Sequence, residues 1–190
     1  SVPLFGSGSV EALEMARRVI SVVHDAYSGH ANYRGGHYTS GFWSMSQHVA
    51  YGNLSGTLPS GRLRGKAFTP GLTPHPGASR SFLDNIRDVA RLDARCMDNN
   101  IAFNVKLVPK AGESLEDIIN AMHAYVKSYF DMGGMQMQFN MVSSATLRDA
   151  MAHPENYRNL LVRISGYNAY FTTLNREMQL ELIERAEYGI

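Results

Sequence analysis

Ile101-Ala-Phe-Asn-Val-Lys-Leu-Val108 is the stretch on which the fold turns. Asn99-Asn100 and Pro109 bound it, and its apolar, β-favouring content predicts a strand. A helix is predicted from about Ser114 to Met132. Ser114 supplies an N-cap oxygen, Glu116 and Asp117 lie in the positive first turn, and Gly133-Gly134 ends it. Met135-Gln-Met-Gln-Phe-Asn-Met-Val142 follows as a second strand, and both strands carry a Phe-Asn pair, at 103–104 and 139–140. Strand, long helix, strand is a right-handed crossover unit, which places the two strands side by side and parallel. Parallel strands are covered on both faces, and neither segment shows a clean polar-out alternation.

Outward from this unit, residues 10–29 predict an amphipathic helix through Val10, Leu13, Val19, Ile20, Val23 and Tyr27, stopped by Gly29. Residues 30–78 are rich in turn signals: Gly35-Gly36, Pro59-Ser60-Gly61 and Pro70-Gly71. Aromatics are too frequent there for disorder, so this segment reads as structured loops with one short helix near Phe42–Tyr51. Residues 80–97 predict a helix with Phe82, Leu83, Ile86, Val89 and Ala90 on one face. Short helices are expected near 144–152 and 154–161. A closing helix over about 175–188 aligns Met178, Leu182, Ile183 and Ala186. The fold class is mixed α/β. With two predicted strands, the sheet or barrel is completed by chain beyond this one.

Composition narrows the function. The chain has 190 residues, 44% hydrophobic and 18% charged, which is the profile of a globular domain. Eighteen basic side chains against 17 acidic, spread along the chain, give no basic stripe for a nucleic acid. One cysteine, Cys96, excludes a disulfide framework or a thiolate metal cluster from this chain alone. No apolar run approaches a membrane span. The start, Ser1-Val-Pro-Leu-Phe5, lacks a Met and the layout of a signal peptide, so a cytoplasmic chain cut from something longer is expected.

Familiar chemical signatures fail one by one. Gly61-Arg-Leu-Arg-Gly65-Lys66-Ala67 has the wrong spacing for a phosphate loop, and Gly6-Ser-Gly8 lacks the third glycine of a dinucleotide site. No two histidines flank a Glu at i, i+4, so a zincin is out; His37 and His48 could face a pocket as ligands or acid/base groups, but the favoured reading is surface or hydrogen-bonded loop histidines. Asn53-Leu-Ser55 is formally a glycosylation sequon, idle in a cytoplasmic chain. Cys96 follows Arg95 with no helix N-terminus to activate it, and reads as an inert thiol. The methionines of 135–141 read as core filler.

One string stands apart. Arg163-Ile-Ser-Gly166-Tyr167-Asn-Ala169 resembles the signature of the glycyl radical enzymes. His153-Pro154-Glu155-Asn-Tyr157 leading into it is similar to the family's approach to the motif. So are Gly133-Gly134-Met135-Gln-Met-Gln-Phe139-Asn140, Leu58-Pro-Ser-Gly-Arg62, Arg34-Gly-Gly36 and the helix Gln179–Glu187 after the motif. The resemblance covers essentially the whole chain. It points to the C-terminal, glycine radical portion of an enzyme of the pyruvate formate-lyase-like superfamily. The chain looks more like the lyase branch of diol dehydratases, arylacetate decarboxylases and amine and sulfite lyases than like pyruvate formate-lyase itself. Succinate-adding synthases remain an alternative.

The resemblance implies a ten-stranded β/α barrel, with residues 1–142 in its wall and 143–190 as the glycine radical domain. It implies a backbone radical on Gly166, with Arg163, Ser165 and Tyr167 supporting the loop. Glycine suits a planar, delocalised Cα radical because no side chain crowds it. No cofactor is expected to be bound. The radical is installed by an activating enzyme with an iron–sulfur cluster and S-adenosylmethionine. A cysteine outside this chain then takes over the radical and attacks a small organic substrate. Cys96 lies at a position that does not match that cysteine. The implied partners are the remainder of the enzyme, the activating enzyme and a second copy of the full enzyme, in the cytoplasm or a bacterial microcompartment. The alternative is a short accessory subunit that replaces an oxygen-damaged C-terminus in a partner. A dry loop capped by Tyr167, Tyr170 and Phe171 is expected, with the Arg163 side chain anchored on backbone carbonyls.

Overall fold

The computed structural model describes residues 2–79 and 81–190. Ser1 and Arg80, the latter expected to start the second helix, lie outside the described residues. In chain order the elements are α1 (Val10–Ser28), α2 (Gln47–Leu54), α3 (Phe82–Ala90), β1 (Asn104–Val108), α4 (Leu115–Asp131), β2 (Gln138–Asn140), α5 (Ser144–Ala152), β3 (Leu161–Arg163), β4 (Asn168–Tyr170), α6 (Arg176–Glu184) and β5 (Glu187–Gly189).

The two expected strands do pair in parallel around a helix, but they are shorter than the stretches 101–108 and 135–142, covering only Asn104–Val108 and Gln138–Asn140. Ser114 Oγ accepts the Asp117 N–H at 3.1 Å to start α4. Gly133, at φ +101°, ends the helix, and a Cβ on Gly134 would sit 2.3 Å from the fully buried Tyr129 ring. β1 and β2 pair in parallel, with Asn104 opposite Gln138 and Lys106 opposite Asn140. The two Phe-Asn strings are therefore offset by two residues, and Asn104, Lys106, Gln138 and Asn140 all lie on one face. Val105 and Leu107 face the other way, into a core shared with Phe82, Ile86 and Val89 of α3 and Tyr129 of α4.

A third strand joins this sheet. β5 pairs in parallel with the other side of β1, giving the order β2-β1-β5. The chain leaves the sheet after Asn140, builds α5, β3, β4 and α6 around a second core, and returns at Glu187. That second core gathers Val49 of α2 with Leu147, Val162, Ile164, Phe171, Met178 and Leu182.

Several expectations need correction. The closing helix stops at Glu184, because Arg185 turns extended (φ −55°, ψ 141°) and the following residues gain ladder hydrogen bonds to β1. Tertiary pairing overrides helix propensity there. The helix expected over 80–97 ends at Ala90; the Asp93 side chain accepts the Arg95 N–H at 3.0 Å and diverts the backbone into a short 3₁₀ turn, Ala94–Cys96. The helix expected near 154–161 is a single 3₁₀ turn, Pro154–Tyr157, before β3. On α3, Leu83 is exposed while Phe82, Ile86, Val89 and Ala90 are buried. On α1 only Leu13 and Ile20 are buried, and Val10, Val19 and Tyr27 are exposed.

Loops 30–78 hold the one short helix expected, α2, although it starts at Gln47. Buried Arg62 ties them together, donating to the carbonyls of Gly56 (2.6 Å), Gly52 (3.3 Å), Leu63 (3.3 Å) and Lys66, with its guanidinium 4.3 Å from the Phe68 ring centre. The Leu58–Arg62 string thus serves the backbone. Gly6 and Gly8 give their N–H groups to Asp88 at 2.8 and 3.1 Å, docking the N-terminal segment on α3. Among the described residues, no helix is long and apolar enough to cross a membrane.

Candidate functional site

The signature string folds as a β-hairpin that the sequence reading missed. β3 and β4 pair antiparallel, with Val162 opposite Ala169 and Arg163 opposite Asn168. Ile164-Ser-Gly-Tyr167 is the connection, closed by the Ile164 N–H donating to the Tyr167 carbonyl at 2.9 Å. Gly166 turns the chain at φ +77°. An L-residue there would be strained by roughly 1–2 kcal/mol, and its Cβ would lie 3.2 Å from the Trp43 indole nitrogen. Glycine is required at 166 by the turn as well as by any radical chemistry.

Side chains from three separate segments hold the hairpin, and of these Gln138 is buried, Asn140 half-buried and Trp43 exposed. Asn140, at the end of β2, reads the Arg163 backbone twice: its Oδ1 accepts the Arg163 N–H at 2.8 Å and its Nδ2 donates to the Arg163 carbonyl at 2.6 Å. Gln138, two residues earlier on the same face, accepts the Arg163 Nε–H at 2.7 Å and the Gly166 N–H at 3.2 Å through one oxygen. Its Nε2 donates to Asn104 Oδ1. Trp43 reaches in from the loop before α2 and donates its indole N–H to the Ser165 carbonyl at 3.1 Å.

The sequence-predicted residues therefore converge on one turn, with two corrections. The Arg163 guanidinium bonds the side chains of Gln138 and, at 3.3 Å, Asn168, rather than backbone carbonyls. A carbonyl anchor is supplied instead by Arg185, whose Nη1 donates to the Arg163 carbonyl at 3.3 Å. Second, the turn is not sealed by its own aromatics. Phe171 is fully buried and Tyr167 half-buried, but Tyr170 and Gly166 are exposed, because the glycine sits at the tip of a two-stranded projection. Ser165 is fully buried, its carbonyl engaged and its hydroxyl without a partner among the described residues. Burial pushes the Tyr167 phenol up.

A buried ionic cluster lies under the hairpin. Arg185 grips Glu181 with two hydrogen bonds of 2.9 Å. His48 Nε2 lies 3.6 Å from the same carboxylate, and its Nδ1 is 3.1 Å from Ser44 Oγ. Burial alone would raise the Glu181 carboxyl; Arg185 and His48 more than offset that and hold it below the ordinary range. His48, read as a loop residue, is buried on α2, while His37 is exposed. Among the described residues no cluster of His, Cys, Asp and Glu is arranged to hold a metal. Cys96 is half-buried on its 3₁₀ turn, and burial with the nearby Asp93 and Asp25 carboxylates raises its thiol.

Gln138, Asn140 and Arg185 lie in strings that carry the family resemblance, but nothing in the sequence assigned them a role at the turn, and nothing pointed to Trp43.

The family model described as glycine radical matches residues 68–172, which span the turn and most of its supports. The chain belongs to the glycyl radical enzymes. It is 37% identical over 158 residues to the indoleacetate decarboxylase of Tractidigestivibacter scatoligenes, covering 82% of this chain and 18% of that protein. The B12-independent glycerol dehydratase of Clostridium butyricum superposes with a TM-score of 0.91 at 30% identity, over 100% of this chain and 24% of the other. A Roseburia inulinivorans protein of 1,2-propanediol dehydration gives 0.90 at 36% identity, over 98% and 24%. Within this glycyl radical family the chain spans about a fifth to a quarter of its relatives' length.

Proposed function

We propose that this chain is the C-terminal portion of a glycyl radical lyase and that Gly166 stores its radical. The observation that carries this reading is the placement of Gly166. It is a glycine at positive φ whose preceding peptide is held at both ends by side chains, at the tip of a hairpin matched by the family model. A radical on Cα is delocalised over the peptide nitrogen on one side and the carbonyl on the other, which requires a planar centre free of a side chain.

In this reading residues 1–142 belong to the wall of a ten-stranded β/α barrel, with β2-β1-β5 as part of its sheet. Residues 143–190 form the radical domain and return to the wall through β5. Exposure of Gly166 within this chain means that the remainder of the enzyme supplies the cover that keeps oxygen and water away. An activating enzyme with an iron–sulfur cluster and S-adenosylmethionine removes one hydrogen atom from Gly166 Cα. A cysteine on the remainder of the enzyme gives a hydrogen atom back to Gly166, and its thiyl radical attacks the substrate. The protein supplies placement and exclusion while the radical carries the bond cleavage. The named activities of the relatives, decarboxylation of indoleacetate and dehydration of glycerol and propanediol, support a small organic substrate that loses a C–C or C–heteroatom bond. Homodimer formation and a cytoplasmic setting complete the reading.

Anaerobic activation of the full-length protein tests it. An electron paramagnetic resonance doublet from the one remaining α-hydrogen is expected, and Gly166→Ala abolishes it. A doublet that persists in the Ala variant places the radical elsewhere.

A further inference from the structure

We propose that Gln138 and Trp43 are positioning residues for the radical, pinning the Ser165–Gly166 peptide unit from its two ends. The inference rests on the reading that Gly166 carries the radical, and it concerns residues 28 and 122 positions removed from the turn.

A peptide unit is a rigid plane, so fixing its carbonyl and its N–H fixes the whole plane. Both ends of this one are engaged by side chains from separate elements. The Trp43 indole N–H donates to the Ser165 carbonyl at 3.1 Å, and Gln138 Oε1 accepts the Gly166 N–H at 3.2 Å. The remaining freedom on this side of Gly166 is rotation about N–Cα. That rotation decides how well a half-filled Cα orbital overlaps the peptide nitrogen, which is the donor half of the delocalisation.

Gln138 is equipped to hold one orientation only. Its Nε2 donates to Asn104 Oδ1, and Asn104 in turn is fixed on Thr73, whose Oγ1 accepts from the Asn104 backbone N–H at 3.0 Å and side-chain Nδ2 at 3.4 Å. The carbonyl oxygen thereby faces two donors, the Gly166 N–H and the Arg163 guanidinium. A flipped amide would turn an NH₂ group toward both and leave four donors facing one another. Gln138 is 8% exposed and its backbone is registered against Asn104 in the sheet, so the acceptor is built into the wall itself. Trp43 adds a second constraint, since its indole packs beside the Gly166 Cα where a side chain would otherwise stand.

The test uses the full-length protein activated anaerobically, with the doublet read for amplitude, α-hydrogen splitting and lifetime. Gln138→Leu keeps the volume and removes the acceptor; a roughly tenfold fall in radical yield or lifetime is expected, the size of one lost hydrogen bond to a reacting group. Gln138→Glu retains an acceptor for both donors but gives up the bond to Asn104, and restores part of the signal, which a general loss of packing would not do. Trp43→Phe keeps an aromatic ring, removes the N–H, and shifts the splitting or shortens the lifetime. Trp43 is 41% exposed, so this variant decides the matter if Gln138→Leu does not fold. A folded Gln138→Leu or Trp43→Phe protein with the wild-type doublet in all three respects overturns the proposal and leaves the Gly166 reading standing. A wild-type protein with no doublet overturns the Gly166 reading itself, and the proposal with it.

Discussion

Arg185 donates to the backbone carbonyl of Arg163 at 3.3 Å while holding Glu181 in a fork of two 2.9 Å hydrogen bonds. The residue that ends α6 is thus the one that ties the last helix to the strand leading into the glycine turn. The charged pair is buried, Glu181 at 6% and Arg185 at 7% exposure. A charge left without its partner there has no water to recruit.

Glu181→Gln is therefore expected to destabilise the full-length protein by about 3 kcal/mol, the range for removing one member of a buried pair. Adding Arg185→Met should recover part of that loss. Because the folded-state pKa of Glu181 is depressed, its contribution is present above its ordinary value of 4.5 and lost as pH falls. Denaturant unfolding near neutral pH and at acid pH checks both statements. Equal stability of Glu181→Gln and wild type near neutrality contradicts them.

Lys106 gives a signal on the alkaline side. Its ammonium is 2% exposed and donates to Ser144 Oγ (2.7 Å) and to the carbonyls of Ile183 (3.0 Å) and Leu182 (3.1 Å). Burial lowers its pKa from 10.5 to about 8, against the opposing pull of Glu187. Between these values the unfolded chain binds more protons than the folded one, so the lysine's contribution improves as pH rises. Comparing wild type with Lys106→Met cancels every other titrating group. The stability difference should move toward wild type from pH 8 to 10, by at most about 1.4 kcal/mol per pH unit. A difference independent of pH over this window would show the amine to be unperturbed.

Cys96→Ser should keep most of the turnover of the full-length enzyme. The thiol sits on a 3₁₀ turn beside Asp93, which raises its pKa further and disfavours the reactive thiolate. Steady-state kinetics of the variant decides, and a loss of about 10³-fold with folding intact, as expected on removing a catalytic nucleophile, contradicts the assignment.

How far the sequence could be read depended on whether local residues set the local structure. The crossover unit was legible because Ser114, the acidic first turn and Gly133-Gly134 punctuate α4, and the flanking strands need only that helix between them. The family was legible because the signature string stands intact at 163–169, within the stretch that the glycine radical family model matches. β5 was not, since Glu187–Gly189 continues a helical pattern and becomes a strand only by pairing with β1, about 80 residues earlier. The hairpin was hidden for a similar reason: three-residue strands carry almost no periodicity. Gln138 and Asn140 stood in a family-like string, but their sequence neighbours say nothing of what their side chains touch. Only the register of β2 on β1 turns them toward the glycine turn.

The radical's location can be read directly as a break in the chain. A backbone radical at Gly166 traps dioxygen and cleaves the peptide there, leaving a large fragment ending at Ser165 and releasing residues 167–190 with the remnant of Gly166. Intact-mass spectrometry compares activated and unactivated full-length protein after both are opened to air. The account predicts that single cut in the activated sample and a whole chain in the other. An intact chain in both, after the doublet has been recorded in the activated sample, or a cut between other residues, contradicts a radical at Gly166.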